Sequence, residues 1–262
     1  MVERPAGHPG ALVLRLNRPQ LLNALSWQMI DELHAELARL AAAPTARALI
    51  LTGTGRGFCS GLDLGGSDAV GSVGGTVEVY ERQEKVARLS LALRALPLPV
   101  IAAVNGPAAG GGFSLSLAAD LRICARSASF VASFVRLGLS GGDVGASYLL
   151  PRIVGYGVAC DLLMTGRRVE AEEALRIGLA NRVVDDAELL GAALAKADEI
   201  AANSPFGVKM TKQILGRNAD AGSLETAIEL ENRTQVLATR TDDMVEAVAA
   251  FREKRAPRFR GS

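Results

Sequence analysis

A chain of 262 residues that is 49% hydrophobic and carries a formal net charge of +1 has ample apolar material for a large folded core. That balance excludes intrinsic disorder and gives no footing for a nucleic-acid or strongly acidic partner. Nothing approaches the roughly 18 to 20 apolar residues of a membrane span, and the N-terminus, with Glu3, Arg4, Pro5 and His8, lacks a signal core. Cys59, Cys124 and Cys160 with His8 and His34 make no metal-ligand spacing, so the expectation is a soluble, cytoplasmic protein with no metal and no membrane partner.

Residues 11–16 read as a short strand that Asn17, Arg18 and Pro19 end. Ser26 caps a helix over 27–42, in which Trp27, Ile30, Leu33, Leu37 and Leu40 recur at helical spacing. A second strand, 46–51, runs through a loop into Phe58-Cys59-Ser60-Gly61-Leu62-Asp63-Leu64. Residues 65–76, rich in glycine and without periodicity, read as a mobile loop, for which a lid over a ligand and a plain connection both fit. A helix over 77–96 stops at Pro97 and Pro99. A buried strand then ends at Val104, the turn Gly110-Gly111-Gly112 leads into a small-residue helix, and a further strand follows at 121–125. This alternation predicts an α/β core with ligands at the carboxyl ends of its strands. Helices follow at 146–153, 155–164, 171–177, 186–203, 205–215, 224–239 and 242–254, and the apolar faces of the late ones call for the core or another subunit.

Three glycines in a row disfavour a helix start, so this backbone has to approach something closely or adopt unusual dihedrals. Free N–H groups at a helix N-terminus suit an anion or a developing oxyanion, although glycine turns also serve plain packing. A second glycine turn, 55–64, ends the preceding buried strand. One N–H from each turn, aimed at a single carbonyl oxygen, makes an oxyanion hole.

Leu-Asn-Arg-Pro-x-x-Leu-Asn-Ala-Leu (16–25), Phe-Cys-Ser-Gly-Leu-Asp-Leu (58–64), the Asn105 to Gly112 turn, Ala-Asp-Leu-Arg-Ile (119–123), Ala-Ser-Phe (128–130) and Leu-Pro-Arg-Ile-Val-Gly (150–155) occur in order. On these motifs the chain resembles the crotonase superfamily, the enoyl-CoA hydratase/isomerase family, over essentially its whole length. The resemblance implies an α/β spiral of repeated ββα units, an acyl-CoA-binding core over 1–200. It also implies a C-terminal helical trimerisation region over 201–262, with trimers often paired into hexamers. The ligand it implies is a coenzyme A thioester, as substrate, with no further cofactor.

By the same resemblance the Leu62 and Gly111 N–H groups bind the thioester oxygen, and Ser60, Gly61, Asp63 and Leu64 line the adenine and pantetheine path. Lys254 and Arg258, with Arg255, lie in a basic tail that in the family approaches the CoA phosphates, often from a neighbouring subunit; a solvated basic end is the plainer role. As residue types, Asp63 and Asp120 read as turn and strand-end residues.

Family hydratases carry one glutamate two residues after the triple glycine and another four after the phenylalanine of Ala-x-Phe. Ser114 and Phe134 stand there. Syn hydration asks for an acid and a base, which paired carboxylates supply and serine and phenylalanine do not. Ser114 fits either substrate or water positioning or helix packing, and Phe134 either narrows the acyl pocket or packs the core.

Asp143 lies in Gly-Leu-Ser-Gly-Gly-Asp-Val-Gly (138–145), a turn in which family isomerases and aryl dehalogenases carry a carboxylate, usually four residues after the glycine. Here the spacing is five, and a one-residue insertion keeps Asp143 in register with Leu-Pro-Arg. A single desolvated aspartate near the α and γ carbons can shuttle the proton that isomerisation moves; a cap for the following helix is the alternative. Glu78, Glu81 and Glu84 are reserve candidates. Three readings stay open: an enoyl-CoA isomerase or hydratase, a non-catalytic acyl-CoA binder, and an aroyl-CoA dehalogenase-like enzyme, for which His8 and His34 are poorly placed to activate water.

Overall fold

Residues alternate between two cores in the strand Ala11–Leu16, with Leu12, Leu14 and Leu16 on one side and Ala11 and Val13 on the other. A strand buried on both faces belongs inside a layered α/β structure. The computed structural model describes residues 1–65 and 75–262, so most of the glycine-rich segment read as a loop or lid lies outside the described residues.

The first half of the chain comprises β1 (Val2–Glu3), β2 (Ala11–Leu16), α1 (Trp27–Ala42), β3 (Ala48–Gly53), α2 (Thr76–Ala95), β4 (Val100–Val104), β5 (Pro107–Ala109), α3 (Gly111–Ala118), β6 (Leu121–Ala125) and β7 (Ser129–Val131). The second half adds α4 (Ala146–Val154), α5 (Tyr156–Thr165), β8 (Arg168–Glu170), α6 (Ala171–Arg176), β9 (Arg182–Val184), α7 (Leu189–Ala201), α8 (Pro205–Asn218), α9 (Leu224–Ala238) and α10 (Asp242–Glu253). A six-stranded sheet runs β1-β2-β3-β4-β6-β9, parallel except for β1, and a smaller sheet runs β5-β7-β8.

The spiral of ββα units follows from this pairing. β4 lies in the large sheet, β5 in the small one, and α3 comes next; β6 and β7 repeat the step. The segment after β3 joins in through an isolated bridge between Cys59 and Ala108. Sequence periodicity finds β2, β3, β4 and β6 and passes over β1, β5, β7, β8 and β9, because two or three residues are too few to show an alternation.

Helix α7 covers one face of the large sheet, with Leu189, Ala193, Leu194 and Ala197 against Ile50, Ile101 and Ile123. The other face carries α1 to α3 and the small sheet. In α1, Ser26 accepts the Met29 N–H at 3.2 Å as N-cap, and Met29 is buried together with Ile30, Leu33, Leu37 and Leu40, whereas Trp27 is half-buried. Phe113 of α3 meets Phe130 of β7 edge to face, with centroids 6.1 Å apart, which joins the glycine turn to the small sheet.

Polar clamps explain motifs that carry no chemistry. Arg122, 5% exposed, donates from Nε to Leu179 O at 2.7 Å and from Nη1 to Ala119 O at 3.0 Å, and Asn181 Oδ1 accepts its N–H at 2.8 Å. Lys212 of α8 reaches the amino end of the large sheet, where its Nζ meets Asp120 Oδ2 at 2.8 Å and Leu98 O at 2.9 Å. Asp120 also accepts the Val100 N–H at 2.7 Å, the strand-end role expected of it. Beyond α7 the chain buries little: Leu215, Leu224, Ile228, Val236, Leu237 and Phe251 are all exposed. Among the described residues, no helix is long and apolar enough to cross a membrane.

Candidate active site

The two glycine turns lie against each other. Cys59 N–H donates to Pro107 O at 3.1 Å and Ala109 N–H to Cys59 O at 2.9 Å, which lays residues 57–62 beside β5. Gly112 packs so closely on the 57–62 segment that a Cβ there would stand 2.1 Å from Cys59 O. Gly110 adopts φ +50° and ψ −121°, a conformation that only glycine tolerates well. These are the close approach and the unusual dihedral that the triple glycine implied.

Two asparagines, Asn23 buried and Asn105 half-buried, shape the first turn. Asn23 Nδ2 donates to Thr54 O at 3.0 Å and to Gly57 O at 2.7 Å. Asn105 Nδ2 donates to Gly55 O at 2.8 Å and Gly57 O at 3.1 Å, while its Oδ1 accepts the Gly53 N–H at 3.0 Å. Further along, Leu25 N–H donates to Gly61 O at 2.8 Å and Asp63 N–H to Leu25 O at 3.0 Å. A parallel bridge of this kind uses the residues on either side of Leu62 and turns the Leu62 N–H the other way.

Gly111 opens α3, where an N–H has no intrahelical acceptor. Among the described residues, neither the Leu62 nor the Gly111 N–H has an acceptor. The two are close: a Cβ on Gly61 would lie 3.3 Å from Gly111 N, and one on Gly111 would lie 3.9 Å from Leu62 N.

Phe134, in the short 3-10 helix Ser133–Leu137, is 4% exposed. Its Cε1 would lie 3.8 Å, and Ser133 Oγ 3.3 Å, from a Cβ on Gly110, so an aromatic edge and a hydroxyl border the turn. Ser114 is fully buried in α3, and its Oγ donates to the Asp143 main-chain carbonyl at 3.1 Å. Helix α4 starts at Ala146 with Gly145 as N-cap and no side-chain cap, so Asp143 does not take the helix-capping role.

The Asp143 carboxyl instead accepts a hydrogen bond from Gln83 Nε2 of α2. Burial pushes it above the usual carboxylate range, against the Val144 amide and Gln83, which favour the ionised form. Val144 has φ +49°, a left-handed conformation costly for a β-branched residue by about 1–3 kcal/mol. Burial also pushes the Cys59 thiol up to about 12, which keeps this near neighbour of the turns protonated.

Around the first turn, Ser60 Oγ donates to Leu21 O at 3.1 Å, Asp63 is held by Arg18, and the Leu64 side chain is exposed. Leu62, Gly111, Ser60, Gly61, Asp63, Leu64, Ser114, Phe134 and Asp143 therefore gather at the carboxyl ends of β3 and β4. Lys254 and Arg258 do not. Their tail is tied to α10, where Glu246 Oε1 accepts the Arg258 N–H at 2.7 Å, and to Arg47, whose Nη2 donates to Phe259 O at 3.2 Å. Arg47 precedes β3 and the turn follows it, and a six-residue strand spans about 20 Å. The tail thus stands at the far end of the sheet from the turns of its own chain.

Sequence reasoning passed over Arg18, Gln83, Ser90 and Ser133. Arg18 stood in a quoted motif as a structural bystander, and Ser90 interrupts the apolar run of α2, a signal of a buried hydroxyl with a fixed partner. Gln83 gives no such signal.

A family model described as enoyl-CoA hydratase/isomerase matches residues 7–262. The chain belongs to the enoyl-CoA hydratase/isomerase family. It is 41% identical over 263 residues to the protein named probable enoyl-CoA hydratase EchA12 of Mycobacterium tuberculosis, covering 99% of this chain and 92% of that one. It is also 41% identical over 261 residues to the 1,2-epoxyphenylacetyl-CoA isomerase of Escherichia coli, covering 96% and 95%. The solved enoyl-CoA hydratase of Bacillus anthracis superposes with a TM-score of 0.93 at 34% identity, covering 100% of this chain and 99% of that one. For this member of the family, an acyl-CoA hydratase/isomerase type of activity and an acyl-CoA substrate follow.

Proposed function

We propose that this family member moves the double bond of an enoyl-CoA between the β,γ and α,β positions, with Asp143 as its single acid/base. The thioester oxygen sits between the Leu62 and Gly111 N–H groups. Ionised Asp143 takes the α-proton of a 3-enoyl-CoA, and the electron pair flows onto the thioester oxygen to give a dienolate held by both donors. Asp143, now protonated, returns that proton to the γ-carbon and yields the 2-enoyl-CoA. No water is consumed. A carboxyl whose proton affinity burial has raised suits both halves of the transfer.

The observation that carries this reading is the hydrogen bond from Ser114 to Asp143. It brings the aspartate to the first turns of α3 while serine and buried Phe134 occupy the places of the hydratase glutamates. The similarity to an epoxide isomerase favours a second substrate class, since a protonated carboxyl beside a held enolate can also assist the opening of an adjacent oxirane. The exposed apolar residues of α8 to α10 support a subunit interface, which the family resemblance makes that of a homotrimer or a hexamer of paired trimers, with residues 1–200 as the core, 201–262 as the trimerisation region, and Lys254 and Arg258 offered to the CoA of a neighbouring subunit.

The test is to feed 2-enoyl-, 3-enoyl- and epoxyacyl-CoA substrates to wild type and Asp143→Ala. Conversion of 3-enoyl-CoA that falls at least about a hundredfold in the variant, with CoA thioester binding kept, is the expected result. Binding without turnover of any of the three by wild type would leave an acyl-CoA binder, and full activity in Asp143→Ala would move the chemistry to another group.

A further inference from the structure

Asp143 and Val144 sit in a strained turn whose two carbonyls are held from two different helices. Ser114 Oγ of α3 donates to Asp143 O at 3.1 Å, and Ser90 Oγ of α2 donates to Val144 O at 2.8 Å. Both serines are buried, Ser114 completely and Ser90 to within 4%. Ala146 N–H adds a second bond to Asp143 O at 2.9 Å, and Gln83, about two helical turns before Ser90 in α2, meets the carboxyl itself. Left to itself, a valine at φ +49° relaxes to negative φ and swings its neighbour's side chain away. Two fixed hydroxyls forbid that relaxation.

We infer that Ser90 and Ser114 are positioning residues, which hold the Val144 turn in its left-handed form so that the Asp143 carboxyl faces the glycine turns, and that Gln83 fixes the orientation of that carboxyl. The inference rests on the reading of Asp143 as acid/base. It gives Ser114 a task other than the glutamate's: it acts through Asp143 and leaves the proton transfer to it.

The surrounding charges leave Gln83 as the side chain with most leverage on Asp143. On α2, Glu78 pairs with Arg82 and Glu84 with Arg88, both at 2.7 Å, and Lys85 pairs with Asp31 of α1. Helix α3 carries no titratable side chain. On α4, Tyr148 and Arg152 both engage Asp220. Glu81 of α2 and Arg136 of the Ser133–Leu137 helix are exposed to solvent.

The experiment measures kcat, KM and the pH profile for 3-enoyl-CoA isomerisation, with the Kd of a saturated acyl-CoA and thermal melts, in Ser90→Ala, Ser114→Ala, Gln83→Leu, Gln83→Glu and Asp143→Asn. Each serine variant is expected to lose about ten- to a hundredfold in kcat while KM and Kd stay within about twofold of wild type, since misplacing a reacting group affects turnover more than binding. Gln83 is exposed, so its variants fold whatever happens to the buried serines. Gln83→Leu removes a donor to the ionised carboxyl and moves the acid limb to higher pH, and Gln83→Glu moves it further. Wild-type kcat and an unmoved acid limb in all four variants, with Asp143→Asn inactive, overturn the positioning role and leave the acid/base reading standing. Full activity in Asp143→Asn overturns that reading and the positioning role with it.

Discussion

Arg18 and Asp63 form an ion pair, with Nη2 2.8 Å from Oδ2, that ties the segment after β2 to the turn carrying Leu62. Arg18 also donates from Nη1 to Ala24 O at 2.7 Å, and Asp63 accepts the Gly65 N–H at 3.0 Å, so the pair braces the turn on both sides. The Arg18 guanidinium and the Gly65 amide hold the Asp63 carboxyl below the usual carboxylate range. An aspartate depressed on folding contributes stability above its unfolded value, about 3.9, and loses it as pH falls through the lower folded value. Asp63→Asn is therefore expected to melt below wild type at pH 7, by an amount worth about 1 kcal/mol or less, with the gap closing below about pH 3. Melts at the two pH values check this, and an equal gap at both would show that charge is not the cause.

Asp143 has the opposite sign. Burial raises its folded value, so its contribution is fully present below the unfolded value and is lost as pH rises through the folded one. Asp143→Asn is expected to match wild type near pH 4 and to melt higher at pH 8 while being inactive, the trade of stability for a poised carboxyl. A lower melting temperature at pH 8 would mean that the ionised group is net stabilising where it stands.

Gly61 carries φ +96°, and a Cβ there would stand 2.9 Å from Ala109 O and 3.3 Å from Gly111 N. Gly61→Ala should push the two turns apart and misdirect both donors. The expected result is a loss of about a hundredfold or more in kcat with helical and sheet content retained by circular dichroism. Wild-type kcat in a folded variant would remove the two-donor oxyanion reading.

Phe134 borders the glycine turn with an aromatic edge. Phe134→Leu trims that wall at modest cost in packing and should shift preference toward bulkier acyl groups. A gain of about tenfold in relative kcat/KM for a branched or longer thioester over the best wild-type substrate is the expected scale for one or two methylene equivalents of space. An unchanged ranking across chain lengths would assign Phe134 to the core alone.

The chain by itself determined the layered α/β core, the capped helix α1, both glycine turns and the family, because those features are written in local spacing: alternation in strands, three-to-four spacing in helices, and glycine where a side chain cannot fit. It also singled out Asp143, although a helix cap remained an equal use for the same residue. Tertiary structure decided what surrounds Asp143, since Gln83 at its carboxyl, Ser114 at its carbonyl and Ser90 at the Val144 carbonyl come from helices distant in sequence and meet this turn only when α2 and α3 pack together. Likewise the tail with Lys254 and Arg258 reads as basic in any order of residues. Its place at the amino end of β3, away from the turns of its own chain, is fixed by Asp243, Glu246 and Arg47, and long-range hydrogen bonds of that kind leave no period in a sequence.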